Sequence, residues 1–141
     1  MPQTRLPAAA LALFMTGLPA PAADISVTVT GVTDPGGAIG CGLHSSAQSF
    51  PMGQTDAQSA WVKPQGSRAT CRFTGLPPGQ YAIAVVHDLN GNRRVDTNAI
   101  GLPTEAWGVS GNIRPALRAP RFAEAAITLG SDPVSITVEV K

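Results

Sequence analysis

The sequence contains no apolar run long enough to cross a bilayer. The stretch from Leu6 to Leu18 falls well short of the roughly 20 residues a membrane-spanning helix needs. It contains no twin arginine near its start, and its first cysteine is Cys41. Those two absences exclude a twin-arginine export signal and a lipid-anchored N-terminal cysteine. There is no excess of charge either, with 10 basic residues against 9 acidic. Without Arg5 the balance is 9 to 9, which argues against nucleic acid or an anionic membrane as partner, since both call for a strongly basic face. No acidic or basic tract, internal repeat or low-complexity linker follows residue 22, so the composition is that of a turn-rich β domain.

What stands at the N-terminus has the order of an export signal. A single charge, Arg5, precedes the apolar run, and Ala20-Pro21-Ala22 supplies the small-x-small cleavage pattern. The expected organisation is a signal peptide over residues 1–22 and one domain over 23–141, exported to the periplasm or the exterior. A chain of about 119 residues buries roughly two-thirds of the surface its unfolded form exposes, enough for a core. Two cysteines, Cys41 and Cys71, in an exported protein are read first as a disulfide.

Period-two alternation recurs through this domain. Ile25, Val27 and Val29 alternate with Ser26, Thr28 and Thr30, and Ile39, Cys41 and Leu43 with glycines and His44. Ala69, Cys71 and Phe73 repeat the pattern, as do Tyr81, Ile83 and Val85, and then Val134, Ile136, Val138 and Val140. Both cysteines therefore fall on inward faces. Asp34-Pro35-Gly36-Gly37 and Gly75-Leu76-Pro77-Pro78-Gly79 are turns. Trp61-Val62 belongs to a further short strand, and Ala123–Leu129 to a strand or a single helical turn. About seven strands without a convincing helix predict an all-β, immunoglobulin-like (prealbumin-like) sandwich. Ser45–Gln58 and Thr97–Phe122 resist the pattern and are expected as loops, the second carrying Trp107.

The segment with specific chemistry follows a strand directly. In His87-Asp88-Leu89-Asn90-Gly91-Asn92-Arg93-Arg94-Val95-Asp96, the residues Asp88, Asn90, Asn92 and Asp96 occupy positions 1, 3, 5 and 9 of a loop. Ca²⁺ takes six to eight oxygens, and this spacing wraps side-chain oxygens around one centre, with the backbone carbonyl of Arg94 at position 7. Two features of such loops are missing. Position 6, where the chain turns with positive φ, is Arg93 instead of glycine, at a cost of about 1 kcal/mol. Position 12 is Ala99 and not a bidentate acid; Asn98 and Glu105 are the further oxygens, Glu105 only by folding back from the long loop. The expected cofactor is a weakly held, structural Ca²⁺. The alternative is that Asp and Asn close a hydrogen-bonded turn.

The run F-T-G-L-P-P-G-Q-Y-A-I-A-V-V-H-D-L-N-G-N-R-R-V-D-T-N, followed by I-G-L-P-T-E-A-W-G-V-S, resembles the bacterial family called domain of unknown function 2141. The resemblance extends from Ile25 through Phe122 and Ala125. It implies an exported protein with an immunoglobulin-like or prealbumin-like sandwich and no assigned activity. The Asp/Asn loop is similar to the Ca²⁺ loop of B-type repeats in Gram-positive surface adhesins.

Enzyme motifs are wanting. Gly108-Val109-Ser110-Gly111-Asn112 misses the last glycine of a nucleophile elbow and lacks the α/β context. His87 and Asp88 are neighbours on a strand and face opposite sides. Cys41, His44, Cys71 and His87 match no common zinc spacing. The expectation is a non-enzymatic binding or scaffolding module whose partner is an envelope or extracellular protein or glycan. Its alternative is a carbohydrate- or peptide-binding module that uses Trp61 and Trp107 without metal.

Overall fold

The computed structural model describes residues 17–53 and 57–141. Most of the expected signal peptide lies outside the described residues, and the first strand begins at Ala23. Eight strands follow: β1 (Ala23–Thr30), β2 (Ala38–His44), β3 (Gln58–Val62), β4 (Ala69–Leu76), β5 (Gly79–Asp88), β6 (Trp107–Val109), β7 (Ile127–Leu129) and β8 (Val134–Glu139). A 3₁₀ turn at Ser110–Asn112 and one helical turn, α1 (Phe122–Ala125), separate β6 from β7. Among the described residues no helix is long and apolar enough to cross a membrane.

The strands form two layers. One sheet has the order β4-β1-β8; the other runs β3-β2-β5-β6, with β7 on the first residues of β5. In the first, β1 is antiparallel to β4 and parallel to β8. At the start of β1 the register with β4 slips between Ala23 and Ile25, and the Asp24 carboxylate accepts the Gly75 N–H there at 2.9 Å. The alternating residues drive the layers together: Ile25, Val27, Val29, Ile39, Ile83 and Cys71 are wholly inaccessible to solvent. Burying each Val, Ile or Leu contributes roughly 1.5–3 kcal/mol. Cys41 of β2 and Cys71 of β4 are joined as a disulfide between the two sheets, with a Cα–Cα distance of 6.4 Å.

Two details differ from the sequence reading. The stretch Thr97–Phe122 is not one loop: it contains β6, whose Trp107 exchanges both backbone hydrogen bonds with Lys141 and so closes one side of the sandwich. In addition, β5 is buried on both faces. Ala82, Val109, Phe50 and Ala125 form a second apolar cluster on the outer face of the larger sheet, with Trp107, Ile113 and Phe122 packed against it. The expected choice between strand and helical turn at Ala123–Leu129 resolves as both, α1 followed by β7.

Candidate functional site: the Asp/Asn loop and the tryptophan row

Asp88 ends β5 with no exposed surface. Its Oδ1 accepts the Gly91 N–H at 2.8 Å and its Oδ2 the Arg93 N–H at 2.7 Å. The next two side chains repeat the device: Asn90 Oδ1 accepts the Asn92 N–H at 3.0 Å, and Asn92 Oδ1 the Arg94 N–H at 2.9 Å. Asp96 closes the loop from the far side, taking the amide of Asn92 at 2.8 Å and that of Asn90 at 2.5 Å. Thus Asn90 and Asn92 turn their carboxamide N–H groups to Asp96, while the Asp88 carboxylate is taken up by the backbone N–H groups of Gly91 and Arg93. Arg93 has φ 56°, the left-handed conformation for which glycine is the usual choice.

Glu105 folds back onto the start of the loop. It precedes β6, opposite the end of β5, where the Ala106 carbonyl accepts the His87 N–H. Its Oε1 accepts the Leu89 N–H at 3.0 Å, while Oε2 is buried without a hydrogen-bond partner. Asn98 is held elsewhere: its Oδ1 accepts the N–H groups of Ile100 and Leu102, closing a turn of its own. Among the described residues no three His, Cys, Asp or Glu side chains converge on one point. Two carboxylates, two carboxamides and the Arg94 carbonyl are hard oxygen donors, a set that suits Ca²⁺ and not a softer metal.

The tryptophans stand in one row across the larger sheet. Trp61 of β3 stands opposite Gly40 of β2, Gly40 opposite Val86 of β5, and Val86 opposite Trp107 of β6. Residues directly opposite share a face, so Trp61 and Trp107 both lie on the outer face of the larger sheet. The Trp61 ring lies over Gly40, where a Cβ would come within 2.5 Å of it. Arg93 places its guanidinium 5.7 Å from the centre of the Trp61 ring. Arg114 does the same over Trp107 at 4.2 Å and donates to the Trp107 carbonyl. Both tryptophans are half-buried, and a cation covers each; neither is a bare stacking platform.

The buried side chains of His87, Ser110 and His44 have structural partners. His87 is buried on the core side and donates from Nε2 to the Gly36 carbonyl at 2.8 Å. Ser110 is buried, accepts the Ile83 N–H and donates to the Ala125 carbonyl. His44 is buried edge-on to Phe50, with Nδ1 3.0 Å from Ser49 Oγ.

Two sheets pinned by a disulfide, with an Asp/Asn loop at the end of a central strand, define a small all-β module. A family model described as "uncharacterized protein conserved in bacteria", DUF2141, matches residues 27–137. The chain belongs to that family. No curated protein and no solved structure matches it.

Proposed function

We propose that this protein is an exported, immunoglobulin-like (prealbumin-like) β-sandwich that binds or scaffolds a component of the cell envelope without catalysing a reaction, and that the Asp88–Asp96 loop holds one structural Ca²⁺. The observation that supports the metal reading is one loop organised by Asp88, Asn90, Asn92 and Asp96: Asn90 and Asn92 turn to Asp96, Asp88 holds the backbone at Gly91 and Arg93, and Arg93 takes the left-handed conformation at position 6. Asp88, Asn90, Asn92 and Asp96 would hold the ion through side-chain oxygens and Arg94 through its carbonyl. Bound Ca²⁺ supplies positive charge to a loop that otherwise satisfies its carboxylates with N–H groups. Export, with removal of residues 1–22, is supported by the order of charge, apolar run and small residues and by the Cys41–Cys71 disulfide, a bond of oxidising compartments. The non-catalytic reading is supported by the engagement of the Ser110 hydroxyl and the placement of His87 in the core, away from Asp88.

The test is a thermal melt of residues 23–141 in millimolar Ca²⁺ and again in chelator. An ion at about 100 times its Kd adds about 2.7 kcal/mol and raises the midpoint by several degrees. Identical midpoints would refute the metal and leave a hydrogen-bonded turn.

A further inference from the structure

The two sides of the sandwich are finished differently. On one side β6 meets the end of the chain, where Trp107 exchanges backbone hydrogen bonds with Lys141. Just beyond β6, Asn112 stands in for a strand. Its Oδ1 accepts the Glu139 N–H at 2.9 Å and its Nδ2 donates to the Thr137 carbonyl at 3.5 Å, with the Asn112 backbone at φ 53°. The outer edge of β8 is thereby covered. A bare edge strand is a template for another chain, and folded proteins commonly cover or blunt it. On the opposite side, among the described residues, β3 pairs only with β2 and β4 only with β1.

Of these two open edges β4 is the longer, eight residues against five. It contains no proline, so every residue keeps its backbone N–H. Ala69, Cys71 and Phe73 are buried in the core, while Thr70, Arg72 and Thr74 are exposed on the outer face. Beside the start of β4 a groove of about 590 Å³ opens toward the end of β3, lined by Val62, Lys63, Gln65, Arg68, Ala69 and Thr70.

Charge selects the kind of strand that fits. From Ala57 to His87 the basic residues are Lys63, Arg68 and Arg72, and there is no acidic one. The acid of β1, Asp24, accepts the Gly75 N–H near the other end of β4. Two copies of this chain joined along β4 would bring both pairs of Arg68 and Arg72 to one seam with no acid in either strand, and like charges across a strand pair are destabilising. An acidic strand turns the same repulsion into attraction. Arg68 and Arg72 are about 14 Å apart along an extended chain, so acids at the same spacing on the incoming strand meet both.

We propose that the free edge of β4 takes an extended acidic segment of a partner protein as an additional strand. The β4 backbone supplies the hydrogen bonds, as in other strand additions, and Arg68 and Arg72 reject a second copy while accepting the acidic segment. This surface rests on the reading of the protein as a binding module, and it does not depend on Ca²⁺.

The experiment is NMR titration of residues 23–141, in chelator, with the end-capped peptide Glu-Val-Thr-Val-Glu-Val-Thr-Val-Glu and with its counterpart carrying lysine for each glutamate. Amide hydrogen exchange is followed in the same samples. The double variant Arg68→Glu/Arg72→Glu, both sites exposed, is titrated after a melt has confirmed that it folds, with Arg68→Gln/Arg72→Gln in its place if it does not. The expected result is binding of the acidic peptide that protects alternate amides of β4, exceeds binding of the lysine peptide, and weakens at least about tenfold in the charge-reversed variant. Absence of binding by the wild type, equal binding of the lysine peptide, protection confined to strands other than β4, or unchanged affinity in the double variant would each overturn the proposal. So would self-association that protects the same amides without peptide. Failure here removes β4 as the docking edge and leaves the Ca²⁺-dependent melt as a separate test of the loop.

Discussion

The carboxylate of Asp88 fixes the backbone of Arg93: Oδ2 accepts the Arg93 N–H at 2.7 Å while Arg93 holds φ 56°. A fully buried acid at the end of a core strand thereby sets the conformation of an exposed cation five residues on. Whatever the loop binds, this pair is its internal support.

Asp88→Ala removes the acceptor for two backbone N–H groups. Hydrogen bonds to charged groups are worth about 1.5–3 kcal/mol each, and the freed N–H groups recover part of that from water. The expected loss is about 2–4 kcal/mol in urea unfolding in chelator, and the variant should show no Ca²⁺-dependent gain. A variant that Ca²⁺ stabilises as much as wild type would remove Asp88 from the metal site.

Arg93→Gly acts in the opposite sense on the loop. It relieves the left-handed strain, about 1 kcal/mol, which the loop already carries without metal, so stability in chelator should rise by about that amount and Ca²⁺ affinity should change little. The same change uncovers Trp61, whose emission should become easier to quench. Urea unfolding in chelator and acrylamide quenching read the two effects. Unaltered quenching would mean that Arg93 does not cap Trp61 in solution.

The inter-sheet disulfide closes a separation of 30 residues. In the chain-entropy model such a loop stabilises by about 3–4 kcal/mol. Replacing Cys41 and Cys71 together by alanine should lower unfolding free energy by that amount, with added loss from the two small cavities in the core. A double variant as stable as wild type would show that apolar packing between the sheets suffices without the bond.

Glu124 provides a prediction in pH. The bidentate hydrogen bonds from Arg118, helped by the Arg121 backbone N–H, lower its carboxyl from 4.5 to about 2. A depressed carboxyl contributes stability that is present above the unfolded value, near 4.5, and is lost as pH falls through about 2. The side-chain carbonyl resonance of Glu124 should therefore titrate well below the ordinary glutamate range. A midpoint near 4.5 would show that solvent dissolves the Arg118 pair.

Strands with one face in the core were legible from alternation alone, as at Ile25/Val27/Val29 and Ala69/Cys71/Phe73, because solvent on the other face selects Ser, Thr and Arg. The same rule placed Cys41 and Cys71 on facing sides. It hid the second apolar cluster, since Ala82, Ala84 and Val86 are apolar on the outward positions of β5 and make that strand read as one continuous run. Strand β6 escaped notice because three residues, Trp107–Val109, are too few to show a period. The loop residues Asp88, Asn90, Asn92 and Asp96 were readable because their contacts are local, and positive φ at Arg93 followed from its position in the loop. The row from Trp61 to Trp107 was not readable, because it depends on register across four strands, which long-range packing sets.

Glu105 is the residue on which loop and sheet face join. Its Oε1 accepts the Leu89 N–H, and its Oε2 lies buried with no partner; a buried oxygen left so costs free energy. Glu105→Gln keeps the Leu89 hydrogen bond and replaces the orphaned oxygen by an amide that can donate. In chelator the variant should therefore be as stable as wild type or slightly more so. In Ca²⁺ the order should reverse if Oε2 swings to join Asp88 and Asp96 on the ion, because an amide brings less charge to a hard cation. Paired melts of wild type and variant, with and without Ca²⁺, decide the point. A Ca²⁺ increment that is the same in both proteins would restrict the metal site to Asp88–Asp96 and leave Glu105 as a clamp on Leu89 alone.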